Sequence, residues 1–249
     1  MSKEIRISKG LDIRLLGSAD LSITDAIKSN FYTLRPDDFH GVTPKLVIKT
    51  GDKLKAGETV FFDKANEAIK FVTPVSGEII EITRGEKRKI FEIKIKADKI
   101  ISFKTHKTPT LKTAKAEELK SLLLTSGCWP FIKQRPYDVI AKPELQPKAI
   151  FISAHATAPL AVDYNFTLQG KEAELQAAVT ALSKLTDGPV HVGVSGGLDS
   201  PFNNLQDINI HKLSGPHPSG NVGTLINKID PVNKGETVWT IAPQDLVII

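Results

Sequence analysis

The fold of the first half of the chain is decided by the segment GDKLKAGETVFFDKA at residues 51–65, followed by TPVSGEI at 73–79. Short runs of alternating apolar and polar residues are separated here by glycine-containing turns, which is typical of β-strands joined by tight turns. The same pattern extends to both sides of these segments and predicts strands at 45–49, 59–63, 68–73, 78–83 and 90–97. We therefore expect a compact β domain.

These two segments resemble the barrel-sandwich hammerhead of biotinyl and lipoyl domains. Carrier members of that class display a modified lysine within Asp-Lys-Ala, and Lys64 is the lysine that the resemblance places there. The interval from Lys64 to Pro74 is longer than the carrier hairpin usually allows, and residues 66–70 suggest a longer loop. We expect a structural barrel sandwich with an unmodified Lys64, and a lipoyl or biotinyl carrier is the alternative.

The second half changes to a helical period after a polar, threonine-rich stretch at 104–113, which we interpret as a linker. The sequence thus predicts a barrel-sandwich domain at 1–113, with an N-terminal extension, and a layered α/β, Rossmann-like domain at 114–249. Its predicted elements are helices at about 115–125 and 169–185 and strands at 149–153, 190–194 and 208–213. Because KAGETV at 55–60 recurs as NKGETV at 233–238, the last ~20 residues either return to the first domain or repeat its turn chemistry by chance.

Composition excludes several classes of protein. Apolar residues make up 41% and charged residues 24%, as in ordinary soluble globular chains. No run of about 18 apolar residues and no signal peptide is present, so we expect neither export nor a membrane span. The single cysteine, Cys128, excludes an intrachain disulfide and an iron–sulfur cluster ligated by this chain alone, and it favours a reducing compartment.

Charge is distributed unevenly around the net value of +5. Residues 1–113 hold 22 Lys and Arg against 15 Asp and Glu, whereas residues 114–249 carry a net charge of −2. The densest basic run lies at 84–89. It is typical of a solvated hairpin, with a partner or membrane surface as the alternative, because acidic residues interrupt it and no nucleic-acid-binding motif accompanies it.

A phosphate-loop pattern follows the strand predicted at 190–194. Ser195-Gly-Gly-Leu-Asp-Ser200 matches the loop of ATP pyrophosphatases, in which backbone N–H groups and a helix N-terminus hold pyrophosphate. The polar residues after Ser200 do not form the amphipathic helix that such a loop opens. We therefore interpret this segment as a glycine-rich turn and keep an ATP-pyrophosphatase-like enzyme as an alternative function.

Two irregular segments carry the candidate binding residues. Residues 126–137 combine aromatic and cationic side chains between two prolines, and residues 214–226 are rich in glycine and proline around a histidine. Flat aromatic rings beside Lys or Arg suit a planar quinone ring or the surface of a partner protein, although such rings also anchor loops internally. No histidine has the spacing of a metal ligand, and we assign no catalytic or metal-binding residue. The candidate contact residues are Trp129, Phe131, Lys133, Arg135 and His217.

Taken in order, four segments resemble the NqrA family, the quinone-associated component of the bacterial Na⁺-translocating NADH:quinone reductases. They are KGLD at 9–12, the hammerhead at 51–77, SGCW at 126–129 continuing to Pro136, and SGPHPSG at 214–220. Family members are considerably longer than this chain, so the resemblance implies an N-terminal fragment. It implies one component of an oxidoreductase and ion translocase that transfers electrons from NADH to ubiquinone or menaquinone and transports sodium.

The same architecture is similar to the flavin-binding component of respiratory complex I and to its counterpart in Rnf-type complexes. Those relatives have a glycine-rich flavin loop where this chain has Trp129, Pro130 and Phe131. Proline removes a backbone donor, and the aromatic rings fill the space of a pyrophosphate. The resemblance therefore implies a cofactor-free protein that is peripheral on the cytoplasmic side of the bacterial inner membrane and assembles with membrane-embedded subunits and quinone.

Overall fold

The structure is a computed structural model, which describes residues 2–17, 19–197 and 199–249. The chain divides into two compact units. The β unit comprises residues 24–110 and 117–130, and the α/β unit comprises residues up to 23, 111–116 and 131–249. The strands are β1 Glu4–Arg6, β2 Phe31–Leu34, β3 Pro44–Leu46, β4 Lys53–Leu54, β5 Thr59–Asp63, β6 Asn66–Val72, β7 Gly77–Arg84, β8 Ile90–Ala97, β9 Lys133–Arg135, β10 Val139–Ile140, β11 Ile150–Ala154, β12 Val190–Ser195, β13 Asn209–Ser214 and β14 Val238–Thr240. The helices are α1 Ala116–Ser126, α2 Tyr164–Thr167, α3 Glu172–Ser183 and α4 Val222–Ile229.

The β unit contains a four-stranded sheet of order β2-β8-β7-β4 and a three-stranded sheet of order β3-β5-β6. Their pairing is antiparallel, and alternate residues point to the core. Ile79, Ile93 and Ile95 are fully buried, and the rings of Phe61 and Phe71 stack with centroids 4.5 Å apart. The predicted strands and the β sandwich are present.

Gly77 shows why a glycine is needed at the start of β7. A Cβ at this position would lie 2.1 Å from the carbonyl oxygen of Lys96, because the two strands approach closely there. Its φ of +159° also lies at the edge of the range that L side chains rarely adopt. The predicted turn at Ser76-Gly77 therefore depends on a residue without a side chain.

The α/β unit is built on a seven-stranded sheet of order β1-β13-β12-β11-β14-β9-β10. The first five strands in this order are parallel, and the β9–β10 hairpin adds an antiparallel edge. The central strands β11 and β12 are buried along almost their whole length, as expected for parallel strands covered on both faces. Helix α3 buries Leu175, Val179 and Leu182, which are the apolar residues of the predicted amphipathic helix.

The compact units differ from the sequence-based division at residue 113. Strand β1 pairs in parallel with β13, so the start of the chain lies in the α/β unit. The last ~20 residues also lie in the α/β unit and do not return to the β domain, because β14 is completely buried between β11 and β9. The repeated GETV sequence reflects shared turn chemistry, since Gly57 and Gly235 both have φ near +87° before a strand.

Candidate functional site

A cleft of about 710 Å³ opens at the carboxyl ends of two neighbouring parallel strands, with Ser153 of β11 and Thr240 of β14 in its wall. The chain direction reverses between these strands, because β11 connects to β12 on one side and β13 crosses over to β14 on the other. In open α/β sheets, ligands bind at such a switch point. The residues that line the cleft are Phe131, Lys133, Arg135, Asp138, Ser153, Tyr164, Pro218, Gly220, Asn221, Val222, Gly223, Thr224, Thr240, Ile241, Ala242, Pro243 and Asp245.

One wall of the cleft is the β9–β10 hairpin. Lys133 lies opposite Thr240 in the antiparallel pairing of β9 with β14, which fixes its place beside the strand end. Arg135 Nε lies 3.1 Å from Asp138 Oδ1, and Tyr137 and Asp138 have positive φ values that turn the chain back into β10. The hairpin thus presents two cations and one carboxylate to the cleft.

The opposite wall contains the first turn of α4. Asn221 precedes the helix with an extended backbone, and its side chain makes no capping hydrogen bond. Val222, Gly223 and Thr224 face the cleft. Backbone N–H groups and the positive end of the helix dipole favour oxygen acceptors at this position.

The titratable groups of the cleft influence one another. Burial lowers the pKa of Lys133, and the carboxylates of Asp138 and Asp245 oppose that shift. Burial raises the pKa of Asp245, and Lys133 opposes it. Burial and then the charge of Asp245 raise the pKa of Tyr164. Such mutual shifts within a cleft are typical of functional sites and provide one donor-rich cluster.

The structure brings three of the five predicted contact residues together. Phe131, Lys133 and Arg135 all line the cleft. Trp129 does not, because its side chain is fully buried, and its proposed role as an exposed contact is therefore wrong. Adjacent residues thus have different environments within one short loop.

His217 lies beside the cleft, where its neighbour Pro218 is a lining residue. Its ring Nδ1 lies 3.2 Å from Thr157 Oγ1, and its backbone N–H donates to Asp12 Oδ1 at 2.8 Å. Its backbone oxygen accepts from the N–H of Leu11 at 3.0 Å. The segments at 9–12 and 214–220, which both carry the family resemblance, therefore pack against each other, and His217 helps to hold them.

Sequence reasoning missed Tyr164, Thr240 and Asp245, and it missed helix α4. The helix had a detectable signal, since Asn221 precedes Val222 and apolar residues continue at the spacing of one helix face. The glycines and prolines around it concealed that period. Tyr164 and Asp245 had no local signal, because only the tertiary fold brings them to the cleft.

The phosphate-loop pattern does not form a phosphate site in the described residues. After β12 the chain forms turns from 199 to 208 before β13 begins, so no helix N-terminus follows the loop. Asp199 accepts a hydrogen bond from Asn203 Nδ2 at 2.9 Å. Leu198, within this motif, lies outside the described residues. The interpretation as a turn agrees with this arrangement.

The structure corrects the argument about Lys64. Strand β5 ends at Asp63 and β6 begins at Asn66, so Lys64 and Ala65 form a two-residue turn where a longer loop was expected. Asp63 Oδ1 accepts from the N–H groups of Thr43 and Ala65 at 3.1 Å each and stabilises this turn. Lys64 is exposed at its tip.

No helix among the described residues has the length and apolarity that crossing a membrane requires. Within residues 2–17, 19–197 and 199–249, no group of three or more His, Cys, Asp or Glu side chains is arranged to hold a metal ion. The candidate chemistry of the cleft therefore rests on its hydrogen-bond donors, its aromatic ring and its charges.

Comparison with known proteins identifies the family. A protein-family model described as NqrA second alpha/beta domain matches residues 114–249, and one described as NqrA N-terminal barrel-sandwich hybrid domain matches residues 5–98. Both the predicted family and the predicted fold class are thereby confirmed.

The curated relatives are NqrA proteins, named for their place in the Na(+)-translocating NADH-quinone reductase. The protein of Saccharophagus degradans is 35% identical over 98% of this chain and 55% of its own length. The proteins of Neisseria meningitidis serogroup B and Yersinia pestis are each 34% identical with the same coverage. The chain spans about half the length of the curated relatives it matches. With both domain matches and these identities, the chain belongs to the NqrA family.

Proposed function

We propose that this chain works within a Na⁺-translocating NADH-quinone reductase and that its cleft receives the quinone. The names of the relatives support the first part, since they are subunits of that oxidoreductase. The cleft at the switch point supports the second part, because it gathers Phe131, Lys133 and Arg135 from the segment that the sequence singled out. This convergence is the observation that carries the proposal.

The cleft has the chemistry that a quinone ring requires. A quinone presents a flat π face and two carbonyl acceptors. Phe131 offers an aromatic surface, and Lys133 and Tyr164 offer an ammonium and a hydroxyl donor. The first turn of α4 adds a positive electrostatic potential from the opposite wall. Donors on two walls would orient the two carbonyl oxygens.

We propose further that the protein is cofactor-free and peripheral on the cytoplasmic side of the bacterial inner membrane, where it assembles with membrane-embedded subunits. The buried Trp129 and Pro130 support the absence of flavin at this loop, because they leave neither space nor a proline N–H for a pyrophosphate. We expect the purified chain to show no flavin band in its visible spectrum. A band near full occupancy would contradict this part of the proposal.

The quinone site is tested by binding of a short-chain ubiquinone to the purified chain, measured by equilibrium dialysis. Replacing Phe131 or Lys133 by Ala removes the ring or the donor, and we expect binding to weaken by about 1–3 kcal/mol, roughly 5- to 150-fold. Phe103→Ala and Lys142→Ala are matched controls, because both residues lie outside the lining of the cleft and are exposed. The controls should bind as the unsubstituted chain does.

Thermal melting separates binding from stability. If the Phe131 and Lys133 variants bind quinone normally, or if their only defect is a lower melting temperature, the cleft is not the quinone site. Quinone-reductase activity after assembly with the other subunits is the second measurement. Normal turnover by both variants in the assembled complex would likewise exclude the proposed contacts.

A carrier function is the second candidate, because the two-residue turn exposes Lys64 as a carrier lysine requires. Intact-mass spectrometry of protein from a host with active lipoyl and biotinyl ligases decides between the candidates. The structural role predicts the unmodified mass, whereas a lipoyl or biotinyl group that disappears in Lys64→Arg would establish a carrier.

A further inference from the structure

The segment between β1 and β2 carries a row of exposed apolar side chains, which we name the apolar strap, residues 11–23. Its described residues form neither helix nor strand. Each of its large apolar side chains is at least 50% exposed, and Leu16 is fully exposed. Single exposed apolar residues are ordinary, but a contiguous group of this kind marks a surface that another molecule covers. The exposed residues are Leu11, Ile13, Leu15, Leu16, Leu21 and Ile23.

The start of the strap is held in place. The N–H of Leu11 donates to the carbonyl oxygen of His217, and Asp12 Oδ1 accepts from the N–H of His217. Gly10 lies so close to His217 that a Cβ would be 2.1 Å from its carbonyl oxygen. Because the backbone is anchored here, the alternating residues Leu11, Ile13 and Leu15 project from a fixed base.

The far end of the strap borders a groove of about 470 Å³. Leu21 lines this groove together with Asn165 and Phe166 of α2. Asn165 Oδ1 is buried and has no hydrogen-bond partner in the structure. A buried acceptor of this kind requires a donor, which a backbone N–H supplies and a lipid chain does not. The surface therefore suits a polypeptide with both apolar side chains and N–H groups.

We propose that the apolar strap is the docking site for the part of the NqrA polypeptide that follows the second alpha/beta domain. The relatives have nearly half of their length outside the match, and the match includes the domain described as N-terminal. That additional part belongs to the same chain in the relatives, so its effective concentration at the strap is high without a strong interface.

The experiment is hydrogen–deuterium exchange of this chain and of the full-length Saccharophagus degradans relative. In this chain, strap amides without regular secondary structure exchange rapidly. In the full-length relative, the corresponding peptide should exchange at least about tenfold more slowly, because the docked polypeptide excludes water from it. The stretch at 105–110 is the internal control, since it also lacks helix and strand and has no row of exposed large apolar residues. Its exchange should be equal in the two proteins.

Every other outcome overturns the proposal. Equal strap exchange in both proteins would show that the additional part does not cover it. Protection already present in this chain, with a dimer in analytical ultracentrifugation, would assign the strap to a second copy. Protection that appears in the full-length relative only after assembly of the whole reductase would assign it to another component of the complex.

Discussion

At the scale of single residues, a buried pair of histidines is the clearest feature outside the cleft. His191 Nδ1 and His211 Nε2 lie 2.9 Å apart on neighbouring strands, and His211 Nδ1 accepts the N–H of Lys3 at 3.1 Å. His211 must therefore donate through Nε2, which leaves His191 Nδ1 as the acceptor. Both rings are neutral in this arrangement, and burial lowers each pKa to about 4.

The pair predicts a loss of stability in acid. An ordinary histidine has a pKa of about 6.5, so the unfolded chain binds more protons than the folded chain between pH 6.5 and 4. The stabilisation is present above pH 6.5 and disappears as the pH falls towards 4. We expect the free energy of unfolding to fall by about 3 kcal/mol from this pair, measured by urea unfolding at pH 7.0 and 4.5.

Two variants isolate the contribution of the pair. His211→Gln removes a titrating ring, and we expect a smaller loss of stability between the two pH values than in the unsubstituted chain. His40→Gln is the control, because His40 is exposed. An equal pH dependence in all three proteins would show that the buried pair does not contribute to it.

At the scale of elements, the loop that leads into α4 shapes the cleft through close backbone contacts. Gly220 packs so tightly that a Cβ would lie 2.3 Å from the carbonyl oxygen of His155. Its carbonyl oxygen accepts from Ser153 Oγ at 2.8 Å, and its N–H donates to Thr157 Oγ1 at 3.0 Å. The loop is thus fixed against the end of β11, and the helix begins at the cleft.

Two glycines near the start of α4 should respond oppositely to alanine. Gly220→Ala forces backbone to move apart, and we expect a loss of about 2–4 kcal/mol in the free energy of unfolding. A Cβ at Gly223 meets nothing within 4 Å, so Gly223→Ala should stabilise the protein by about 0.5–1 kcal/mol through helix propensity. Urea unfolding of both variants measures this difference, and equal effects would refute the assigned contacts.

At the scale of the whole molecule, the chain begins and ends in the same sheet. Strand β1 pairs with β13 more than 200 residues away, and Ile5 and Ile7 enter a core cluster with Phe151, Leu213 and Leu225. The β unit is inserted between parts of the α/β unit along the chain. The first few residues therefore belong to the core of the α/β unit.

This arrangement predicts that Ile5→Ala destabilises the protein by about 2–4 kcal/mol, because it removes buried apolar volume from a packed core. Ile13→Ala is the matched control, since the side chain of Ile13 is 65% exposed, and it should change the free energy of unfolding by less than about 0.5 kcal/mol. The two values come from equilibrium urea unfolding followed by circular dichroism. Equal values would mean that β1 does not stabilise the sheet.

The sequence by itself determined the elements whose signal is local. Alternation predicted β5 and β8 with their observed bounds, and the helical period predicted α1 and α3 to within a few residues. The loop at 126–137 was also identified as a candidate site from its aromatic and cationic residues. These predictions succeed because each depends on residues that are neighbours along the chain.

Only the tertiary structure decided which parts of the loop reach the cleft and which remote residues join them. Trp129 is buried, whereas Phe131 lines the cleft beside Tyr164 and Asp245. Likewise, β14 completes the α/β sheet although its sequence repeats that of a turn in the β unit. Burial and strand pairing depend on contacts between residues far apart in the chain, and periodicity and turn chemistry carry no information about those contacts.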